Sequence, residues 1–242
     1  MSTGWNRLAA GTGLVSMVLL VVGIASGPAK IISTNSSVDQ IAANIGKQTH
    51  LQLASNTLMI VGVTFFLAFA AVLADRIRTS DGAGPLAAWL TATSAVIVVF
   101  TTLDVIVLTA MDFLVHQGGL TAEPQLTRFL YHLYNGILMP GVAHLGFAAF
   151  FAIVAAAARR GALRPRWISW PCFVLAPLAV VNSVIALSTS NGGAFVLAPL
   201  AVFGFIVVNV ALSISMLRDR GASDQPTPAI TVGPALAPHP VH

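Results

Sequence analysis

The chain has 242 residues, of which 56% are hydrophobic and only 8% are charged, whereas a soluble globular domain carries about 25% charged residues. So few charges cannot cover a water-soluble surface, and most of the surface must therefore face lipid. The net charge of +4 does not indicate nucleic-acid binding, because the basic residues lie mostly in short segments between apolar runs. The single cysteine, Cys172, excludes an intramolecular disulfide and any multi-cysteine zinc site.

Six apolar runs approach or exceed the roughly 20 residues that a membrane-spanning helix needs. They cover about 8–26, 52–74, 85–113, 133–158, 168–188 and 194–217. Because the runs are continuously apolar and do not alternate, they predict helices and not a barrel. The predicted fold is therefore an all-α, six-helix integral membrane bundle within residues 1–218. The remaining residues, 219–242, predict a disordered Pro-rich tail.

The first run has a second interpretation, as a secretory signal peptide. Arg7 precedes it, and Ala25-Ser26-Gly27 resembles a cleavage site of small residues. The apolar stretch is about 18 residues long, which is long for a signal core and favours an uncleaved first helix.

The basic residues predict the orientation of the bundle. Under the six-helix interpretation nine of the twelve Lys and Arg residues fall on one side, and only Lys30, Lys47 and Arg128 fall on the other. Such an excess marks the cytoplasmic side, so both termini are predicted to be cytoplasmic in a multi-pass plasma-membrane protein. On the outer side, Val38, Ile41 and Ile45 recur at helical spacing and predict a short amphipathic helix that lies on the surface or caps the bundle.

Polar residues interrupt the third predicted helix along one face. Thr101, Asp104, Thr109, Asp112 and His116 fall within an arc of about 140° around the helix axis. An ionisable residue inside a membrane costs about 2.5–3.5 kcal/mol on insertion scales, so it normally faces the bundle interior and has a partner. The orientation places this stripe in the outer half of the membrane.

Neighbouring helices direct further polar groups to the same outer half. The fourth carries His132 and Asn135 near its start and His144 deeper, with Pro140 between them, where proline can break the helix. Asn56 on the second helix and Asn182 on the fifth lie at a similar depth. The candidate site therefore has Asp104, Asp112, His144 and His132 as catalytic candidates. The ligand-binding candidates are Asn56, Thr101, Thr109, His116, Asn135 and Asn182.

Several interpretations of this cluster stay open. In the first interpretation, the polar groups are paired only to hold the helices together. They could instead line an outward-facing pocket for a small amphiphilic or lipid-like ligand, with an aspartate as acid or base and a histidine as its proton partner. A transport or proton path is a third interpretation, although the inner half offers few ionisable residues. A metal or haem site is disfavoured because no recognised ligand spacing occurs, and no cofactor is predicted. The expected partners are the bilayer and such a small molecule, and the sequence does not indicate an oligomeric state.

Two short elements carry a resemblance to known proteins. The second helix ends in Leu73-Ala-Asp-Arg-Ile-Arg78 after a long first outer loop, and Gly161-Ala-Leu-Arg-Pro-Arg-Trp-Ile168 joins the fourth and fifth helices. In these features the chain resembles a broad group of uncharacterised actinobacterial polytopic membrane proteins, a family of unknown function. The resemblance implies about six helices in a plasma membrane, and it implies no activity, substrate or site residue.

Overall fold

The computed structural model describes residues 3–27, 32–33, 35–47, 49–80, 82–188 and 197–218, and these are helical apart from short connections. The α-helices are α1 (Thr3–Ser26), α2 (Val38–Ile45), α3 (Thr49–Arg78), α4 (Gly84–His116), α5 (Gly119–Ala122), α6 (Pro124–His132), α7 (His144–Arg159), α8 (Ser169–Ser188) and α9 (Ala198–Arg218). An 11-residue π-helix, Leu133–Ala143, joins α6 to α7 and is called the π-segment below.

Six stretches of the described residues are helices long and apolar enough to cross a membrane, as the sequence predicted. Five of them are α1, α3, α4, α8 and α9. The fourth span is continuous from Pro124 to Arg159 through α6, the π-segment and α7. Its predicted start at residue 133 was therefore wrong, because α6 is amphipathic and its polar residues resemble a loop in the sequence. The tail, 219–242, lies outside the described residues.

The spans form a closed ring. Each span contacts the next one along the chain, and α9 returns to contact α1. The fourth span also contacts α9, and 67% of its most apolar stretch is buried, against 28–39% for the other spans. It is therefore the central element. At the middle of the bundle, Phe147 of α7 stacks on Phe205 of α9 at 4.7 Å between ring centroids, and Phe66 of α3 meets Phe205 at 5.0 Å.

Consecutive spans run antiparallel, which gives the bundle two different ends. The arginine end gathers the basic residues of α1, α3, the α7–α8 loop and α9. The capped end carries α2, α5 and α6. The predicted amphipathic helix is α2, whose Ile41 and Ile45 are buried against a small cluster that includes Leu108 and Met111 of α4. The capping interpretation of this helix is confirmed.

Glycines and serines hold α1 against α3. A Cβ atom at Gly23 would lie 2.8 Å from Met59 Cγ and 3.2 Å from the Ser55 carbonyl oxygen. The Ser55 hydroxyl donates to the Gly23 carbonyl at 2.6 Å, and the Ser16 hydroxyl donates to the Gly62 carbonyl at 2.7 Å. Lipid supplies no hydrophobic force between helices, so close packing and such hydrogen bonds stabilise the pair.

Candidate functional site

The polar stripe of α4 faces the interior of the bundle along most of its length. Thr101, Asp104 and Asp112 are buried, Thr109 is half-buried, and His116 at the helix end is exposed. Asp104 and Asp112 are eight residues apart, which separates them by about 12 Å along the helix axis. Asp104 faces the π-segment, and Asp112 lies closer to the capped end.

The π-segment exists where Pro140 interrupts the fourth span. Proline has no backbone N–H and crowds the preceding turn, so the helix cannot continue with ordinary hydrogen bonds through this point. In a membrane, backbone groups released in this way must find partners within the protein. The wider turn brings Gly141 close to Gly136, since a Cβ at Gly141 would lie 3.0 Å from the Gly136 carbonyl oxygen.

Three predicted site residues bind the backbone at this break. The Asp104 carboxylate lies close to the Met139 backbone N–H. His144 Nδ1 lies 2.6 Å from the Met139 carbonyl oxygen and must be the donor, because a carbonyl only accepts. Asn182 of α8 donates to the Pro140 carbonyl at 3.2 Å. Asp104 and His144 therefore meet at one residue, Met139, on its N–H and on its carbonyl side respectively, and both support the interrupted helix.

Two side-chain oxygens of these residues take no part in the contacts with the helix break. Asp104 Oδ1 and Asn182 Oδ1 are fully buried and have no hydrogen-bond partner among the described residues. A buried acceptor without a partner costs about 1–3 kcal/mol, and more when it is charged. Support of the helix break needs only one oxygen of Asp104, so this role leaves the second oxygen unexplained.

A cavity of ≈30 Å³ lies beside this group. Thr101, one turn before Asp104, and Met139 both line it, and the Thr101 hydroxyl lies 4.0 Å from Met139 Sδ. The remaining lining is entirely apolar and comes from α1, α3, α4, α7 and α9: Leu20, Ile24, Met59, Val63, Phe66, Ile97, Phe147, Val202, Phe205 and Ile206. Asp104 itself does not line the cavity, whereas the residue whose backbone it approaches, Met139, does.

The other predicted ligand-binding residues form two separate interhelical contacts. Asn56 of α3 donates to the Thr109 hydroxyl of α4 at 2.8 Å, and Gln52 donates to Asn56 Oδ1 at 2.9 Å. Asn135 donates at 3.0 Å to the carbonyl oxygen of Ile32, in the connection between α1 and α2. These bonds tie α3 to α4 and the first connection to the fourth span, and they lie apart from the helix break.

The remaining candidates lie toward the capped end. His132 is half-buried and packs over Gly136, where a Cβ would meet its ring at 3.3 Å. His116 Nδ1 donates to the backbone carbonyl of Asp112 at 2.9 Å. The structure therefore brings Asp104, His144, Asn182 and Thr101 together around Met139, and it leaves Asp112, His116 and His132 outside this group.

The sequence interpretation missed three residues of these contacts. Met139 supplies the backbone groups that Asp104 and His144 bind, but its apolar side chain gave no signal for that role. Tyr131 donates to the Ile32 carbonyl at 3.0 Å, and Tyr134 lies within electrostatic range of Asp104. Both tyrosines stand within one turn of the predicted residues His132 and Asn135, which was the available signal.

Within the described ranges, no group of three or more His, Cys, Asp or Glu side chains is arranged to hold a metal ion. No known protein family, curated protein or solved structure matches the chain. The resemblance to actinobacterial membrane proteins stays a prediction from the sequence.

Proposed function

We propose that this membrane protein binds a small amphiphile whose polar head reaches Asp104 and whose apolar part occupies an enlarged form of the central cavity. The observation that carries the proposal is the buried Asp104 Oδ1, which has no partner in the described part of the chain, beside a cavity with an apolar wall. Binding sites for small molecules commonly combine an apolar lining with a few polar groups that orient the ligand.

The chemistry of the head group follows from the acceptor. The unpaired Asp104 Oδ1 has free acceptor capacity, so the proposed head group donates a hydrogen bond, as a hydroxyl or an amine does. A carboxylate head of the same chain length would place two acceptors together and is expected to bind poorly. Conversion of the ligand is not part of the proposal, because both ring nitrogens of His144 face backbone carbonyls, at 2.6 Å and 3.5 Å.

Access requires movement, because ≈30 Å³ holds about one water molecule. Two features of the cavity wall bear on this access. Met139 has an unbranched side chain that can adopt other rotamers and uncover Asp104. Ile24 of α1 lines the cavity and is 47% exposed, so the cavity wall reaches the lipid-facing surface there. We therefore place the access route between α1 and α9, from the bilayer and not from water.

The test compares dodecanol, dodecylamine and dodecanoate as probes. Thermal unfolding of the detergent-purified protein is measured with each probe, for wild type, Asp104→Asn and Asp112→Asn. Asp112→Asn is the matched control, because Asp112 is also buried on α4. Saturating dodecanol or dodecylamine should raise the Tm of wild type and of Asp112→Asn by about 5 °C, and dodecanoate should not.

The same shift should be absent in Asp104→Asn, provided that this variant folds and unfolds cooperatively without probe. Equal shifts for all three probes, or an unchanged dodecanol response in Asp104→Asn, would overturn the proposal. A variant that does not fold would favour a purely structural role for Asp104.

For the orientation, we propose that the arginine end faces the cytoplasm of a plasma membrane. Nine of twelve Lys and Arg residues support it. The direct measurement is the accessibility of a single cysteine placed at Lys47, at the capped end, to a membrane-impermeant thiol reagent in intact cells. Labelling from outside is the expected result, and labelling only after lysis would reverse the orientation.

A transport path is the second candidate, and it has its own observation. Buried polar atoms without a partner among the described residues also occur toward the arginine end, at Ser94 of α4 and at Asn209 and Ser213 of α9. If these atoms line a path, cysteines at Ser94 and Ser213 should react with a water-soluble thiol reagent in a Cys172→Ser background. Protection of both positions would leave binding without transport.

A further inference from the structure

A second cavity lies at the arginine end, in a groove between the α7–α8 loop and α9. Its volume is ≈720 Å³, within the range of roughly 300–1,000 Å³ that is common for ligand sites. The loop contributes one wall and one face of the last two turns of α9 contributes the other. The lining residues are Arg164, Pro165, Arg166, Trp167, Ala211, Ile214, Ser215 and Arg218.

The three guanidinium groups in this groove are free of ion pairs within the described ranges. Other arginines at the same end are engaged. The Arg159 guanidinium lies over the Phe173 ring at 4.2 Å, and Arg160 donates to the Gly82 carbonyl at 2.9 Å. Three cations without an ion-pair partner among the described residues surround one cavity and attract an anion, and guanidinium groups match the geometry of phosphate oxygens.

The loop wall is held in place by buried neighbours. Gly161 ends α7 with a φ of +79°, and the Ala162 N–H bonds back to the Ala157 carbonyl at 3.0 Å. Leu163 and Ile168 are 2% and 1% exposed and flank the arginines of the loop on both sides. The cations are therefore presented from a fixed segment, which lowers the entropy lost on binding.

The surroundings of the groove indicate a lipid and not a soluble anion. Trp167 and Trp170 are 57% and 69% exposed, as expected for tryptophans at the membrane interface. Below the groove, Ile214, Val207 and Phe203 form an exposed apolar stripe along α9. A phosphate head in the groove would thus continue directly into a surface for acyl chains. We propose that the groove binds the headgroup of an anionic phospholipid, in the leaflet that the arginine end faces.

The experiment titrates the detergent-solubilised full chain with phosphatidylglycerol or phosphatidylcholine and counts bound lipids by native mass spectrometry. The variant Arg164→Gln/Arg166→Gln is compared with Arg76→Gln/Arg78→Gln, which removes two charges from the same end at α3. Wild type and the control should prefer phosphatidylglycerol, and the groove variant should bind it about tenfold more weakly. Ser215→Glu, which adds an anion from the α9 wall, should weaken binding with every arginine intact.

Equal losses in the groove variant and the control would mean that the arginines act only through the general charge of this end, and would overturn the site. Normal binding in folded Ser215→Glu would also overturn it. A soluble arm uses inorganic phosphate and glycerol 3-phosphate as competitors. Displacement of phosphatidylglycerol by either one at millimolar concentration would identify a phosphate site that does not require the lipid.

Discussion

At the α1–α3 interface, each serine that bonds across the helices has one hydroxyl donor, and each donor meets one glycine carbonyl. At the π-segment, Asp104 and Asn182 also bind backbone groups, but each side chain has a second polar atom. Those second atoms are buried without a partner in the described part of the chain. In both regions, side chains bind backbone groups of another helix. At the α1–α3 interface one polar atom per side chain is enough for this role, so binding to the interrupted helix does not explain the second oxygens of Asp104 and Asn182. The difference distinguishes the π-segment from the α1–α3 interface.

The largest expected effect is a loss of stability at the α1–α3 interface. Gly23→Val would push a side chain into Met59 and the Ser55 carbonyl and should lower stability by about 2–3 kcal/mol. Gly11→Val on the same helix is the control, because a Cβ there meets nothing within 4 Å, and it should change stability by less than about 0.5 kcal/mol. Unfolding in mixed micelles followed by circular dichroism measures both. Similar losses would contradict the close-packing account.

The next effect concerns the histidines of the fourth span. His144→Ala would leave the Met139 carbonyl without its side-chain donor and should cost about 2 kcal/mol of unfolding free energy. His132→Ala should cost less than about 0.5 kcal/mol, because His132 is only half-buried. The same unfolding measurement separates them. If His132→Ala is the more damaging variant, the assignment of His144 as the support of the helix break is wrong.

A smaller effect is expected for the serines. Ser16→Ala and Ser55→Ala each remove one interhelical hydrogen bond, and such bonds contribute about 0.6 kcal/mol on average in membranes. The double variant should therefore lose about 1.2 kcal/mol, as a sum of two independent contacts. Ser26→Ala is the matched control, since its hydroxyl bonds only within α1. A control that loses as much as the double variant would contradict the interhelical role.

The smallest expected change in stability concerns Asn182 at the π-segment. Asn182→Leu removes the hydrogen bond to the Pro140 carbonyl, but it also removes a buried acceptor that has no partner in the described ranges. These contributions have opposite signs, so the stability should change by less than about 0.5 kcal/mol. A loss above about 1.5 kcal/mol in the same unfolding assay would show that the Asn182 oxygen has a partner in the folded protein.

The sequence predicted the elements that depend on length and periodicity. Six apolar runs became six spans, and the spacing of Val38, Ile41 and Ile45 became α2. The π-segment could not be predicted, because Pro140 signals a break but not the width of the helix around it. Over 11 residues, the spacing of apolar residues does not distinguish an α-helix, whose backbone N–H groups bond to the fourth preceding carbonyl, from a π-helix, whose N–H groups bond to the fifth.

The site was predicted only as residue types at a common depth. Asp104, His144 and Asn182 do lie together, yet they surround backbone groups of Met139 and Pro140, and every residue carries backbone groups. The Ile32 contact joins positions 99 and 103 residues apart in the chain, to Tyr131 and Asn135. Such pairs depend on the packing of whole helices, which the sequence of one helix does not determine.

The closed ring has a consequence for how the bundle can open. Most neighbouring pairs of spans are consecutive in the chain. The exceptions are the fourth span with α9, and α1 with α9, the first and last spans, which are joined only through the rest of the bundle. Separating these two helices stretches no connecting loop, so an access route between them would open without breaking the glycine contacts of α1 with α3. A covalent cross-link between α1 and α9 would remove this freedom without touching the cavity. Ligand exchange should then stop while the bound state stays intact.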